Sequence, residues 1–328
     1  MSAIALSVIL GLLLSGLARA PWLCPGLTFA MKKLLRLGII LLGLKLAIGD
    51  VLKVGALGIP VVVAVVSIGI GASLLLARAL KVSRTLGLLA AASTGICGIT
   101  ATLAVAPVLQ ADDQEVAYTV ANVTLFGLVG MLLYPFVAHA LFAAHPGAAG
   151  AFLGTAIHDT SQVMGAALSY QEMFGQPGAA QIATVTKLTR NALLVAVVPM
   201  LGLLHRRMSA KECGRAAPLS ELFPLFVLGF LAAALVRSVG EAGLASQGLA
   251  FGSMTPDVWR GLIHQLGEQT SGMLLATALA AVGLSTRLSV FRVLGVAPFL
   301  LGLAAAVAVS LSSLGLAALV GPLLDPTR

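Results

Sequence analysis

Runs of about 20 mostly apolar residues, the length a helix needs to cross a bilayer, recur about ten times along this chain with short polar loops between them. They lie near Ile4–Leu17, Leu34–Leu52, Gly58–Ala77, Leu86–Gln110, Val116–Phe142, Ala149–Tyr170, Gly178–Leu204, Glu221–Val236, Leu262–Leu284 and Leu294–Leu324. Hydrocarbon offers no partner to a backbone N–H or C=O, so such runs satisfy their own backbone as helices. With 59% hydrophobic and 10% charged residues and a mean hydropathy of +1.04, the chain is too apolar for a soluble domain. The expectation is an all-α polytopic membrane protein, one transmembrane domain over residues 1–328.

The first run ends in Ala18-Arg19-Ala20, which resembles a signal-peptidase site. No basic residue precedes it, Arg19 falls inside the motif and Pro21 follows the cut, so a retained helix is expected. Cys24, Cys97 and Cys213 are too scattered for a disulfide framework or a zinc site, and neither a metal nor a cofactor is called for. Basic residues set the orientation. Arg19, Lys32, Lys33 and Arg36 fall in the first loop, Arg78, Lys81 and Arg84 in the third, Arg206, Arg207, Lys211 and Arg215 in the seventh, Arg287 and Arg292 in the ninth. The fourth carries Asp112, Asp113 and Glu115 instead. The positive-inside rule then makes the odd loops cytoplasmic and leaves both termini extracytoplasmic in a bacterial inner membrane. The net charge of +8 suits topogenesis and contact with anionic lipid rather than nucleic acid.

Polar residues inside the spans carry the functional information. His158, Asp159, Thr160, Ser161 and Gln162 sit in mid-span, and the next span holds Thr184, Thr186, Lys187, Thr189, Arg190 and Asn191. Titratable groups at that depth cost at least about 2.5 kcal/mol each and mark substrate or ion pathways. Three spans also read as interrupted. Ser93-Thr94-Gly95-Ile96-Cys97-Gly98 weakens the fourth; Asp159 with Gln162 has capping-box spacing and restarts a helix in the sixth; Gly267-Glu268-Gln269-Thr270-Ser271-Gly272 breaks the ninth. A half-helix starting at the midplane offers free N–H groups and a positive dipole end to an anion. Lys187 and Arg190, three residues apart on one face, would present two cations to the same point, with Asn191 beside them.

Each feature has a plainer reading. Lys187 and Arg190 could neutralise Asp159 and Glu268 in a structural network; His158 could be a neutral ring bonded to a carbonyl; Lys45 is snorkelling or paired. Gly95 and Gly98 could be a helix-packing surface, Asn122 and Thr124 either lining or interhelical glue. Cys97 as a nucleophile lacks any accompanying catalytic set.

The run Gly95-Ile96-Cys97-Gly98 with Ala106-Pro107-Val108, then Leu133-Tyr134-Pro135, Ala156-Ile157-His158-Asp159-Thr160 with Gln162-Val163, and Thr186-Lys187-Leu188-Thr189-Arg190 resemble the YeiH-type bacterial inner-membrane family. Ala281-Val282-Gly283-Leu284-Ser285-Thr286 fits as well. Members are usually labelled sulfate exporters, so the resemblance implies export of sulfate or a related sulfonate and a distant relation to cation:proton antiporters. Ser93-Thr94-Gly95 and Gly98-Ile99-Thr100 stand where many relatives carry more alanine.

Broken fourth and ninth spans suggest an inverted repeat of five plus five helices, with 1–145 as the first repeat and 146–328 as the second. A weak echo of Gly43-Leu44 to Pro60 in Gly283-Leu284 to Pro298 would instead pair the second span with the ninth. The expected function is secondary transport of a small oxyanion by alternating access. Lys187 and Arg190 would hold it with Thr94, Gly95, Cys97, Gly98, Thr160, Ser161, Gln162 and Asn191; His158, Asp159 and Glu268 would couple it to H+ or Na+. The partners are then that anion, the coupling ion, membrane lipid and, optionally, a second copy of the chain. A cation:proton antiporter with Asp159 as carrier is the alternative. A channel lacks a traceable pore and an intramembrane enzyme lacks a nucleophile set, so no enzymatic activity is expected.

Overall fold

The computed structural model describes residues 3–15, 21–176, 178–208, 225–285 and 295–324, and no strand occurs among them. Five helices are long and apolar enough to cross a membrane: Ile48–Ala79, Asp113–Phe142, Ala179–His205, Phe226–Gln247 and Val296–Val320. Their surfaces carry large apolar side chains, such as Leu133, Phe136 and Leu141 on one helix and Leu303, Val307 and Leu311 on another. Outward apolar faces of that extent suit lipid and would be a liability in water. The protein is an all-α membrane protein.

The chain divides into two compact units. The first comprises Met1–Ala56 and Leu225–Thr286, the second Leu57–Pro224 and Arg287–Arg328; each therefore draws on both halves of the sequence. In the first unit, α1 (Ala3–Leu13) is followed by α2, residues 24–42, in which a π-helical turn, Ala30–Leu34, joins Cys24–Phe29 to Leu35–Leu42. Lys32, Lys33 and Arg36, expected in a loop, are thus exposed residues of a helix. The second span begins some ten residues earlier than its hydropathy indicates, because long basic side chains can leave their charge in water while the backbone stays helical. It also ends earlier: Leu46 turns extended (φ −118°, ψ 139°), and α3 (Ile48–Ala79) starts there rather than near Gly58.

The same unit contains α11 (Phe226–Gln247) and α12, residues 256–285. In α12, Gln265–Thr270 is a π-helical turn between two α-helical stretches, so the expected break at Gly267–Gly272 does not occur. The glycines there are absorbed by a wider helical turn, the usual outcome where one residue is surplus to the α-helical register. The interrupted fourth span therefore has no interrupted ninth span as its counterpart. Gly11 of α1 faces Gly283 of α12, where a Cβ on Gly11 would stand 2.9 Å from the Leu284 nitrogen; this close backbone approach is how small residues join helices in lipid.

The second unit contains most of α3, then α4 (Arg84–Gly95), α5 (Ile99–Leu109), α6 (Asp113–Phe142), α7 (Pro146–Ala156), α8 (Thr160–Phe174), α9 (Ala179–Ala192), α10 (Leu194–Met208) and α13 (Val296–Val320). Side chains supply several helix starts: Ser83 accepts from the Leu86 N–H at 3.0 Å and Asp112 from Glu115 at 2.7 Å. Every residue of α7 from Gly147 to Ala156 is buried. Gly150 and Gly154 bring α7 onto α9, since a Cβ at either would lie 2.6 Å from the Ala179 oxygen or 2.7 Å from that of Ala183. That contact sets the distance between α9 and the end of α7. Arg19, Lys211, Cys213, Arg215, Arg287 and Arg292 lie outside the described residues, as do the side chains of Arg206 and Arg207.

Candidate functional site

Two interrupted helices of the second unit meet at the middle of α9. The α4–α5 connection is non-helical at Ile96 (φ −121°, ψ −90°) and Gly98 (φ +63°, ψ −119°). An L side chain is strained at that Gly98 geometry, which is why glycine stands there. The α7–α8 connection is extended at Ile157 (ψ 140°) and Asp159 (ψ 147°). Each break ends one helix, exposing unpaired carbonyls, and starts another, exposing unpaired N–H groups.

Lys187 and Arg190 on α9 are both fully buried, and both spend their donors on the carbonyl ends. The Lys187 ammonium donates to the oxygens of Ile96 (3.1 Å) and Ile157 (3.1 Å) and to that of His158. Three acceptors match the three donors of the charged form. Arg190 donates through Nε to Gly95 (2.9 Å), through one terminal nitrogen to Thr155 (2.6 Å) and Ile157 (3.3 Å), and through the other to Thr94. One oxygen, that of Ile157, receives both cations. Positive charge facing two helix C-termini is the stabilising sense of the dipole, and each orphan carbonyl gains a charge-assisted bond.

This arrangement revises the electrostatic expectation. Among the described residues neither cation has a carboxylate within ion-pair distance, so the network with Asp159 and Glu268 does not form; backbone carbonyls take its place. Glu268 belongs to the first unit, where it lies 3.7 Å from Lys45 and 3.2 Å from His264 on half-exposed surface.

Asp159 caps α8. Its Oδ1 accepts from the Ser161 N–H (2.9 Å) and hydroxyl (2.6 Å), while Gln162 closes the capping box by accepting from the Asp159 N–H (3.3 Å). Gln162 also donates to the Thr124 oxygen (3.1 Å) across to α6. A side chain at Gly127 would run into the Gln162 amide, so that glycine makes room for the bridge. Gly98 approaches Asp159, with a would-be Cβ 3.6 Å from the Asp159 Cα and Cβ; the uncapped start of α5 therefore adjoins the capped start of α8. Thr160 accepts from the Asn191 amide at 3.1 Å.

The remaining site residues fall around this crossing. Cys97 is a buried free thiol. His158 turns its carbonyl to Lys187, and its ring is buried against the backbone of Ala156. The ring borders a cavity of about 10 Å³ with Ser93, Thr94, Thr119 and Asn122, at the lower limit for one water molecule. Asn122 donates to the Pro298 oxygen at 2.9 Å and so links α6 to α13, while Thr124 bonds its own helix at Val120. Thr184, Thr186 and Thr189 likewise bond back along α9. Sequence reasoning missed the carbonyls of Thr155, Ile157 and Ile96, which no side-chain pattern advertises, and the clearance at Gly127.

A profile of the family described as conserved hypothetical protein 698 matches residues 1–302. A UPF0324 membrane protein of Bacillus cereus is 34% identical over 285 residues, covering 87% of this chain and 77% of its own. One from Streptococcus pneumoniae is 31% identical over 296 residues, 90% of this chain and 83% of its own. One from Fusobacterium nucleatum is 26% identical over 323 residues, 97% and 90% respectively. No solved structure matches.

Proposed function

The chain belongs to the family of conserved hypothetical protein 698, the YeiH-type membrane proteins, and we propose that it is a secondary transporter of a small oxyanion, sulfate or an organosulfonate. The carrying observation is a pair of buried cations without a carboxylate partner among the described residues. Helix ends count for about half a charge each. Two C-termini, two N-termini and the Asp159 carboxylate then leave about one positive charge at the crossing when Lys187 and Arg190 are both charged. In this reading the cations do not grip the anion directly. They supply the field, and the free N–H groups at the start of α5, with the hydroxyls of Thr160 and Ser161, supply the contacts.

Protonation of Asp159 would raise the residual charge to about two, matching a divalent oxyanion. Asp159, with His158 beside it, is thus the coupling group, and alternating access moves proton and anion together or in exchange. The same reading gives ten crossings of a bacterial inner membrane with both termini extracytoplasmic, and a transporter rather than an enzyme.

One observation favours the antiporter alternative: Asp159, the carboxylate at the crossing, is only part-buried and so within reach of H+ or Na+, while its side chain accepts from the Ser161 N–H and hydroxyl and from the Gln162 N–H. Thermal stability of the purified protein with sulfate, thiosulfate, taurine, chloride, Na+ and Li+ separates the readings. A ligand at one hundred times its Kd stabilises by about 2.7 kcal/mol. Stabilisation by one oxyanion, weakened in Thr160→Val, supports the anion site. Stabilisation by Na+ or Li+ alone, abolished in Asp159→Asn, would replace it with cation exchange.

A further inference from the structure

We propose that the second unit holds a separate binding site for the phosphate head of an anionic membrane lipid, in a cavity at the N-terminal end of α4. The cavity encloses about 320 Å³ and is bordered by the exposed side chains of Arg78, at the end of α3, and Arg84, in the first turn of α4. His205, near the end of α10, also lines it and is itself buried. Leu74, Leu88 and Leu204 give the rest of the wall an apolar surface.

The chemistry selects the ligand. Two arginines beside apolar walls suit a planar or tetrahedral oxyanion carried on a hydrocarbon body. The first turn of α4 adds its N–H groups on the same side, although Ser83 already satisfies that of Leu86. Glu115 accepts the Ser83 hydroxyl at this end of α4, so its carboxylate is engaged next to the mouth. At this size the cavity takes a headgroup and the first carbons of its chains rather than a whole lipid. Arg78 and Arg84 lie at helix ends on the side the basic loops assign to the cytoplasm, where the leaflet is rich in anionic lipid. A free phosphate shares the head chemistry but gains nothing from the leucines, so the lipid is the committed occupant.

The test uses the full chain in detergent, with native mass spectrometry and thermal stability against added phosphatidylglycerol, phosphatidylcholine or inorganic phosphate. Phosphatidylglycerol is expected to be retained and to raise Tm, with phosphatidylcholine and inorganic phosphate weaker. The Arg78→Gln/Arg84→Gln double variant should lose about tenfold or more in phosphatidylglycerol affinity, the effect of losing charge-assisted bonds to one phosphate. His205→Gln should weaken it less. Arg260→Gln, an exposed arginine of the other unit, should leave it unchanged. Equal phosphatidylglycerol affinity in wild type and the double variant overturns the proposal, as does an equal loss in Arg260→Gln, which would mean general surface attraction. Stabilisation by inorganic phosphate as strong as by the lipid overturns the lipid assignment. If the double variant does not fold, His205→Gln and Arg78→Gln singly decide: unchanged affinity in both refutes the site.

Discussion

Replacing Lys187 by Met keeps the length and bulk of the side chain but removes three donors at once. The carbonyl oxygens of Ile96, Ile157 and His158 would lose their Lys187 bonds at the crossing of two interrupted helices; Ile157 keeps a longer bond from Arg190 at 3.3 Å. A buried acceptor left without a donor costs about 1–3 kcal/mol. The desolvation cost of the ammonium, which disappears with it, acts in the opposite sense. Taking the low end for the two oxygens left without a donor, those of Ile96 and His158, gives a loss of up to about 2 kcal/mol, or about 3–6 °C in Tm for a chain somewhat longer than those for which 2–4 °C per kcal/mol holds. Cys97 provides a local reporter, since it is buried in the same break. In a Cys24→Ser/Cys213→Ser background, modification of Cys97 by a maleimide dye should be much faster in Lys187→Met than with Lys187 present. Lys187→Arg should fall between them, because a guanidinium keeps the charge but not the compact three-way donor geometry. A Tm within about 1 °C of the parent, far below the shift expected for orphaned carbonyls, together with an unchanged labelling rate, would show that the ammonium does not hold the two helix ends.

Four further outcomes follow from single positions. Gly98→Ala forces a side chain onto φ +63°, ψ −119° and should destabilise by about 1–3 kcal/mol, read as a lowered Tm with secondary structure by circular dichroism unchanged. Gly154→Leu places bulk where a Cβ already meets the Ala183 oxygen at 2.7 Å; it should separate α7 from α9 and lower Tm by more than Gly98→Ala does, whereas Gly175→Ala, whose Cβ meets nothing within 4 Å, should cost only its left-handed backbone, about 1 kcal/mol. Lys45→Met removes a 3.7 Å contact with a half-exposed Glu268 and should change stability by less than about 1 kcal/mol; a larger loss in denaturant titration would mean that this pair does more than decorate the surface.

Much of the architecture was already written in residue type. Apolar runs of spanning length dictate helices because hydrocarbon leaves a backbone no other partner, and Ser93–Gly98 and His158–Gln162 mark interruptions because glycine and N-capping residues favour ends over interiors. The α2 boundary and the π-helical turn in α12 were not legible. Lys32 and Lys33 look like loop in a hydropathy average yet ride on a helix surface, and Gly267-Glu268-Gln269-Thr270-Ser271-Gly272 looks like a break yet stays helical, since neighbouring turns enforce continuity that local propensity does not.

The sequence by itself determined that this chain is a helical membrane protein with polar interruptions inside its spans, of which it read one too many, and two intramembrane cations close together on one face. Only the tertiary structure decided what those cations touch. Lys187 and Arg190 turn to carbonyls contributed by α4 and α7, more than 25 residues away, rather than to Asp159 or Glu268. Every residue carries a carbonyl, so nothing in the order of side chains announces which ones will be unpaired; that is fixed when Gly150 and Gly154 let α7 close on α9 and carry two helix ends to the same point.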